Sequence, residues 1–174
     1  MNIKSKYLEK KDYLFHLDLW NKENNNILFI TGMSGSGKSA LAKDLAKEFN
    51  CSRVELDDIE SYFMTLNKEK HIQEKIYKEI ESECSEVVEF LSDIDRNKRY
   101  VFNTWYDGVY VISEFIDWFS EKVKNDNKLY IINGAQIFTI LSPEYFKDKP
   151  LIVKEINILK SLTRRTMRAL KKKT

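Results

Sequence analysis

Short unbroken apolar runs alternate along this chain with longer stretches in which apolar positions recur every three or four residues. Ile27-Leu28-Phe29-Ile30-Thr31, just after the polar loop Asn24-Asn25-Asn26, has the composition of a central parallel strand covered on both faces. Ala40, Leu41, Leu45, Ala46 and Phe49 then fall at helical spacing and predict an amphipathic helix over 39–49. A second strand is predicted at 52–56, ending on Asp57-Asp58. Ile72, Ile76, Ile80, Val87, Val88 and Leu91 form one helical stripe over 69–92, with a break near Cys84. Residues 111–123 read as a helix through Ile112, Phe115, Ile116, Phe119 and Val123. Buried strands are predicted again at 128–132, ending on Asn133-Gly134, and at 151–156, with a short segment at 137–141 between them. Tyr100-Val101-Phe102 fits either a short strand or a helix end, and 160–173 reads as a basic helix.

Strands separated by helices require crossover connections, so the expected fold is α/β: three layers, a mostly parallel sheet of four to five strands with helices on both faces. A chain of 174 residues, without repeats and with two prolines, supports one domain spanning 1–174. Residues 1–26 fit the alternating unit poorly. Tyr13, Phe15, Leu17 and Leu19 alternate like a strand, while the lysine-rich segment before them looks helical, so this part is expected to be an appendage on the core.

Charge changes the picture at one end. The 29 basic and 27 acidic residues nearly cancel, yet seven basic residues and no acid lie within 160–174, which leaves 22 basic against 27 acidic residues elsewhere, a net −5. Such a tail either meets phosphate, nucleic acid or an acidic partner, or is a solvated basic face. Cys51 and Cys84 lack any CxxC or histidine-rich neighbourhood, which argues against a disulfide framework or a zinc site. His16 and His71 have no sequence neighbours that make a triad, and are read as structural. The N-terminus lacks the apolar core of a signal peptide and no run approaches a membrane span, so a cytoplasmic protein without membrane contact is expected.

The chemistry is concentrated in Gly32-Met33-Ser34-Gly35-Ser36-Gly37-Lys38-Ser39, which completes the phosphate-cradling pattern GxxxxGK(S/T) between a predicted strand and a predicted helix. Glycines let backbone N–H groups turn inward around phosphate oxygens, and the following helix presents its positive end to the same anion. Gly32, Ser34, Gly35, Ser36, Gly37, Lys38, Ser39 and Ala40 are therefore the candidate nucleotide-binding residues. Lys38 would reach the β- and γ-phosphates of ATP, and the Ser39 hydroxyl would ligate Mg²⁺.

With these residues the chain resembles the small P-loop kinases of the adenylate, nucleoside, shikimate and gluconate type, together with P-loop polynucleotide kinases, over 27–58 and more loosely over 128–168. The resemblance implies a carboxylate at the end of the second strand, acting as base toward the acceptor hydroxyl or binding substrate and metal. Asp57 matches that position, with Asp58 as the alternative; paired aspartates there also commonly cap the next helix. It further implies an acidic residue at the end of the third strand, a place taken here by Asn133. An amide brings no negative charge, so metal assistance would lean on Ser39 and Asp57. Gln136 is a candidate to orient substrate or water, although Asn133 and Gly134 equally make an ordinary strand-ending turn. Lid arginines, which hold positive charge over the transferring group, correspond to Arg164 and Arg168, one helical turn apart. Trp105, in Asn103-Thr104-Trp105-Tyr106, lies where such kinases build their acceptor pocket; aromatics of this kind also commonly serve as core.

Two functions follow. The first is an ATP- and Mg²⁺-dependent phosphotransferase, with Lys38, Asp57, Arg164 and Arg168 catalytic and Asp57, Asp58, Trp105, Asn133 and Gln136 binding an unidentified small molecule or nucleic-acid end. The second is a non-catalytic or weakly hydrolytic ATP-binding regulatory module whose basic C-terminal helix contacts a partner. Stable nucleic-acid binding is not expected, because the tail lacks interleaved aromatics. No NKxD-type guanine-reading motif is present, and the length disfavours an oligomeric motor.

Overall fold

A computed structural model describes residues 20, 25–65, 70–97, 105–147 and 149–154, without the side chains of 94–97 and 105–107. Four parallel strands form its sheet: β1 (Ile27–Thr31), β2 (Ser52–Glu55), β3 (Tyr130–Asn133) and β4 (Leu151–Val153), in the spatial order β2-β3-β1-β4. Residues Ile27, Leu28, Phe29 and Ile30 pair with Tyr130, Ile131, Ile132 and Asn133 in turn, and Glu55 of β2 pairs with the same Asn133. That register brings the ends of β1, β2 and β3 together at the edge where the glycine-rich loop begins.

The helices are α1 (Lys38–Phe49), α2 (Leu56–Met64), α3 (Lys70–Glu83), α4 (Val88–Asn97), α5 (Trp105–Val123) and the short α6 (Ile137–Ile140). Alternation along each strand sends side chains to opposite faces. Leu28, Ile30, Ile131 and Ile152 pack with Leu41, Ala42 and Leu45 of α1 and with Trp20. Ile27, Phe29, Val54, Tyr130 and Ile132 pack on the other face against α2, α3, α4 and α5, where Phe90, Phe115 and Phe119 fill the centre. The molecule is thus a three-layer α/β fold, as the strand and helix periods predicted. Among the described residues, no helix is long and apolar enough to cross a membrane.

Boundaries differ in instructive ways. The stripe over 69–92 breaks at Cys84, whose extended backbone leads into a 3₁₀ turn at Ser85–Val87 before α4 begins. β2 ends at Glu55 rather than 56, because Leu56 already opens α2; Asp57 therefore lies in a helical first turn and not at a strand end. The helix expected over 111–123 begins earlier, at Trp105. Of the N-terminal appendage, Trp20 is described: it stacks edge-on against Phe49 and donates its indole N–H to the Asn26 carbonyl. The segment 100–102 and the basic helix over 160–173 lie outside the described residues.

Candidate functional site

The loop after β1 has the backbone its sequence calls for. Gly35 and Gly37 adopt φ of 85° and 89°, a region costly for side-chain-bearing residues, and Gly37 stands at the N-cap of α1. Gly32 is required for a second reason: a Cβ there would collide with the Lys154 carbonyl oxygen just after β4. Ser34, Ser36 and Ala40 complete the loop and the first turn of α1. The Ser36 hydroxyl is buried with no hydrogen-bond partner among the described residues, although a buried polar group left so is costly. Lys38 is 5 % exposed, and among the described residues no carboxylate pairs with it. An orphaned hydroxyl and a buried, unpaired ammonium at a helix N-terminus are what a phosphate chain would satisfy.

Beside Ser39 the structure places a residue the sequence reasoning passed over. Glu55, 9 % exposed, accepts the Ser39 hydroxyl on Oε1 at 2.9 Å, and the same oxygen accepts Asn133 Nδ2 at 2.8 Å. Its other oxygen takes Arg53 Nη1 at 2.6 Å, and that nitrogen also donates to Asn133 Oδ1 at 3.1 Å. Arg53 Nη2 pairs with Glu83 at the end of α3. Burial works against the Arg53 charge, but hydrogen bonds and the charges of Glu83 and Glu55 outweigh it and raise its pKa. Asn133, 0 % exposed, is therefore neither a bare turn residue nor open to substrate: it is spent on Glu55 and Arg53. The signal available in the sequence was the i, i+2 pair Arg53 and Glu55, which share one face of a short strand and are both buried.

Asp57 and Asp58 sit further out. Glu55 holds the N-cap position of α2 without a side-chain cap bond, so the capping role considered for the aspartates is not the one they play. Asp57 Oδ1 accepts Gln136 Nε2 at 2.8 Å, and the same amide nitrogen donates to Glu60 Oε2 at 2.8 Å. Gln136 thereby ties the turn after β3 to α2, and Ser39 contacts Glu55 where Asp57 was expected. Asp58 is half-buried, and its pKa rises to about 6, first through burial and next through the charge of Glu55. Both aspartates line a cleft of about 470 Å³ together with Ser39, Lys43, Arg53 and Glu55.

For a divalent cation beside Ser39 the donor set is a hydroxyl and carboxylates, the hard oxygen ligands that suit Mg²⁺. Among the described residues there is no group of three His, Cys, Asp or Glu that forms a cage of its own. Mg²⁺ ordinarily completes its octahedron with water and substrate phosphate, so the residues present fit it. Cys51 and Cys84 are both free, and burial pushes each thiol up to about 12, which makes them inert. The remaining candidates, Arg164, Arg168 and the Trp105 side chain at the start of α5, lie outside the described residues.

Residues 6–111, more than half of the chain, match the NB-ARC domain family. The chain belongs to the NB-ARC family. It is accordingly a nucleotide-binding P-loop protein for which ATP is the fitting nucleotide, and the matched span carries the whole loop, Glu55 and the aspartates. The match reaches P-loop NTPase identity and not the kinase subdivision that the sequence resembles. No curated protein matches this NB-ARC chain at a significant level.

Proposed function

We propose that the chain is an ATP- and Mg²⁺-dependent phosphotransferase whose acceptor hydroxyl binds in the cleft beside Ser39. The observation that carries this reading is the placement of Asp57 and Asp58 on the wall of a cleft that also contains Ser39. Lys38 would bind the β- and γ-phosphates and the loop amides would fix them in line. Mg²⁺, held through Ser39, would neutralise charge as the phosphoryl group moves. The acceptor oxygen forms its bond to the γ-phosphorus as the bond to ADP breaks, and the acceptor proton passes to a carboxylate. Asp58, raised to about 6, has the proton affinity for that role near neutral pH, while Asp57, gripped by Gln136, orients the hydroxyl. Arg164 and Arg168 are the proposed lid cations.

A second reading has its own observation, the NB-ARC match, and makes the chain an ATP-binding switch that turns over slowly to water. The two are separated by ADP release measured against a panel of nucleosides, sugars, hydroxy acids and 5′-hydroxyl oligonucleotides. The phosphotransferase reading requires stimulation by one acceptor class. ADP release that ignores every acceptor, with ATP binding intact, supports the switch. Lys38→Ala should weaken ATP binding by about 100-fold or more, the scale of losing a charge-assisted contact of ~3 kcal/mol; unchanged binding would remove Lys38 from the site.

A further inference from the structure

We propose that Glu55 on β2 supplies, toward Mg²⁺ at Ser39, the carboxylate that Asn133 on β3 does not. This rests on the nucleotide-binding part of the reading above and not on the identity of any acceptor. Four contacts carry it. Ser39 donates its proton to Glu55 Oε1, which leaves a lone pair of the hydroxyl oxygen free for the ion. Asn133, in register beside Glu55, donates to that same oxygen, so the amide at the third strand orients a carboxylate from the second. Arg53 closes the arrangement by bonding both Glu55 Oε2 and Asn133 Oδ1. Glu55 is thus buried and aimed at the Ser39 hydroxyl; its three hydrogen bonds leave a lone pair on Oε2 to receive a proton of metal-bound water. Asp57 instead has its Oδ1 engaged by Gln136 Nε2, at the start of α2.

The paired strands make the idea testable by exchange. Glu55→Gln keeps the shape and removes the charge. Combining it with Asn133→Asp moves the carboxylate to the neighbouring strand at constant net charge, still beside Arg53. The readout is the affinity for a non-hydrolysable ATP analogue in EDTA and in Mg²⁺, by calorimetry. The native chain should bind more tightly with Mg²⁺. Glu55→Gln should keep its EDTA affinity and lose about 10–100-fold of the Mg²⁺-dependent gain, the usual scale for groups that orient a metal's ligands; the double variant should recover most of it. A Glu55→Gln protein with the full Mg²⁺ gain overturns the proposal, and so does a folded double variant with none. Should the variants fail to fold, crystals of the native chain grown with Mn²⁺ and ADP decide the matter by anomalous scattering. An ion beside Ser39 Oγ, with Glu55 bound to it or to its water, supports the assignment; an ion held by Asp57 or Asp58 away from Glu55 overturns it. Absence of nucleotide binding by the native chain in either buffer would instead count against the P-loop reading itself.

Discussion

Asp58 is ionised at neutral pH only against the preference of its surroundings. Burial and the nearby Glu55, Glu83 and Glu79 raise its pKa from 3.8 to about 6, against the pull of Arg53. Between those values the native state binds more protons than the unfolded chain, so this group makes stability fall as pH rises through the window. Asp58→Asn should therefore melt higher than the native chain at pH 7 and above. The rise should be about 2–4 °C, allowing for solvent screening of a half-buried group. Below pH 4 the difference should vanish, which thermal melts across pH 3.5–8 will show; a constant difference across the range would contradict the pKa assignment. In a catalytic role the same substitution should abolish acceptor-dependent ADP release and leave ATP affinity within about threefold, as expected of a group that acts on the acceptor hydroxyl rather than on the phosphates. The opposite sign applies to Glu86: burial opposes its charge, but Lys128 lowers its pKa to about 2, so its contribution is present above pH 4.5 and lost as the pH falls toward 2.

Among the elements, the turn between β3 and α6 bears on the site most directly. A Cβ at Gly134 would stand 2.7 Å from Gln136 Oε1 and 2.8 Å from the Leu56 Cβ, so Gly134→Ala must displace the amide that holds Asp57 or push the start of α2. A loss of about 1–3 kcal/mol in denaturant unfolding is expected, the ordinary cost of overpacking, and a neutral result would show that the turn relaxes freely. On the helical side, Phe115→Ala in α5 should cost about 3–5 kcal/mol, because Phe115 stacks with Phe90 and Phe119 at the centre of its layer. These elements were the legible part of the sequence. Strands buried on both faces leave unbroken apolar runs, and β1 and β3 read correctly for that reason; the helical stripe over 69–92 carried even its break at Cys84. Glu55 was not legible, because an acid inside a strand ordinarily faces water. Its meaning depends on Ser39 and Asn133, which are 16 and 78 residues away in sequence. Asp57 read as a strand-end residue for a related reason: apolar pattern alone does not tell Leu56 as the end of a strand from Leu56 as the start of a helix.

On the scale of the molecule, the strand order β2-β3-β1-β4 gathers the loop, Arg53, Glu55 and Asn133 at one edge of the sheet, and α2 and α3 wall the adjoining cleft. A nucleotide cradle and a carboxylate-lined space thus belong to one folded unit, and the NB-ARC match spans both. Transfer and hydrolysis differ in where the γ-phosphorus of ATP ends up. Once the panel has identified an acceptor, the reaction run in ¹⁸O-labelled water with mass analysis of both products follows that atom. Phosphotransfer predicts phosphorylated acceptor equal in amount to ADP, and no ¹⁸O-labelled inorganic phosphate above background. Inorganic phosphate carrying the solvent oxygen, formed in step with ADP whatever acceptor is present, would contradict it.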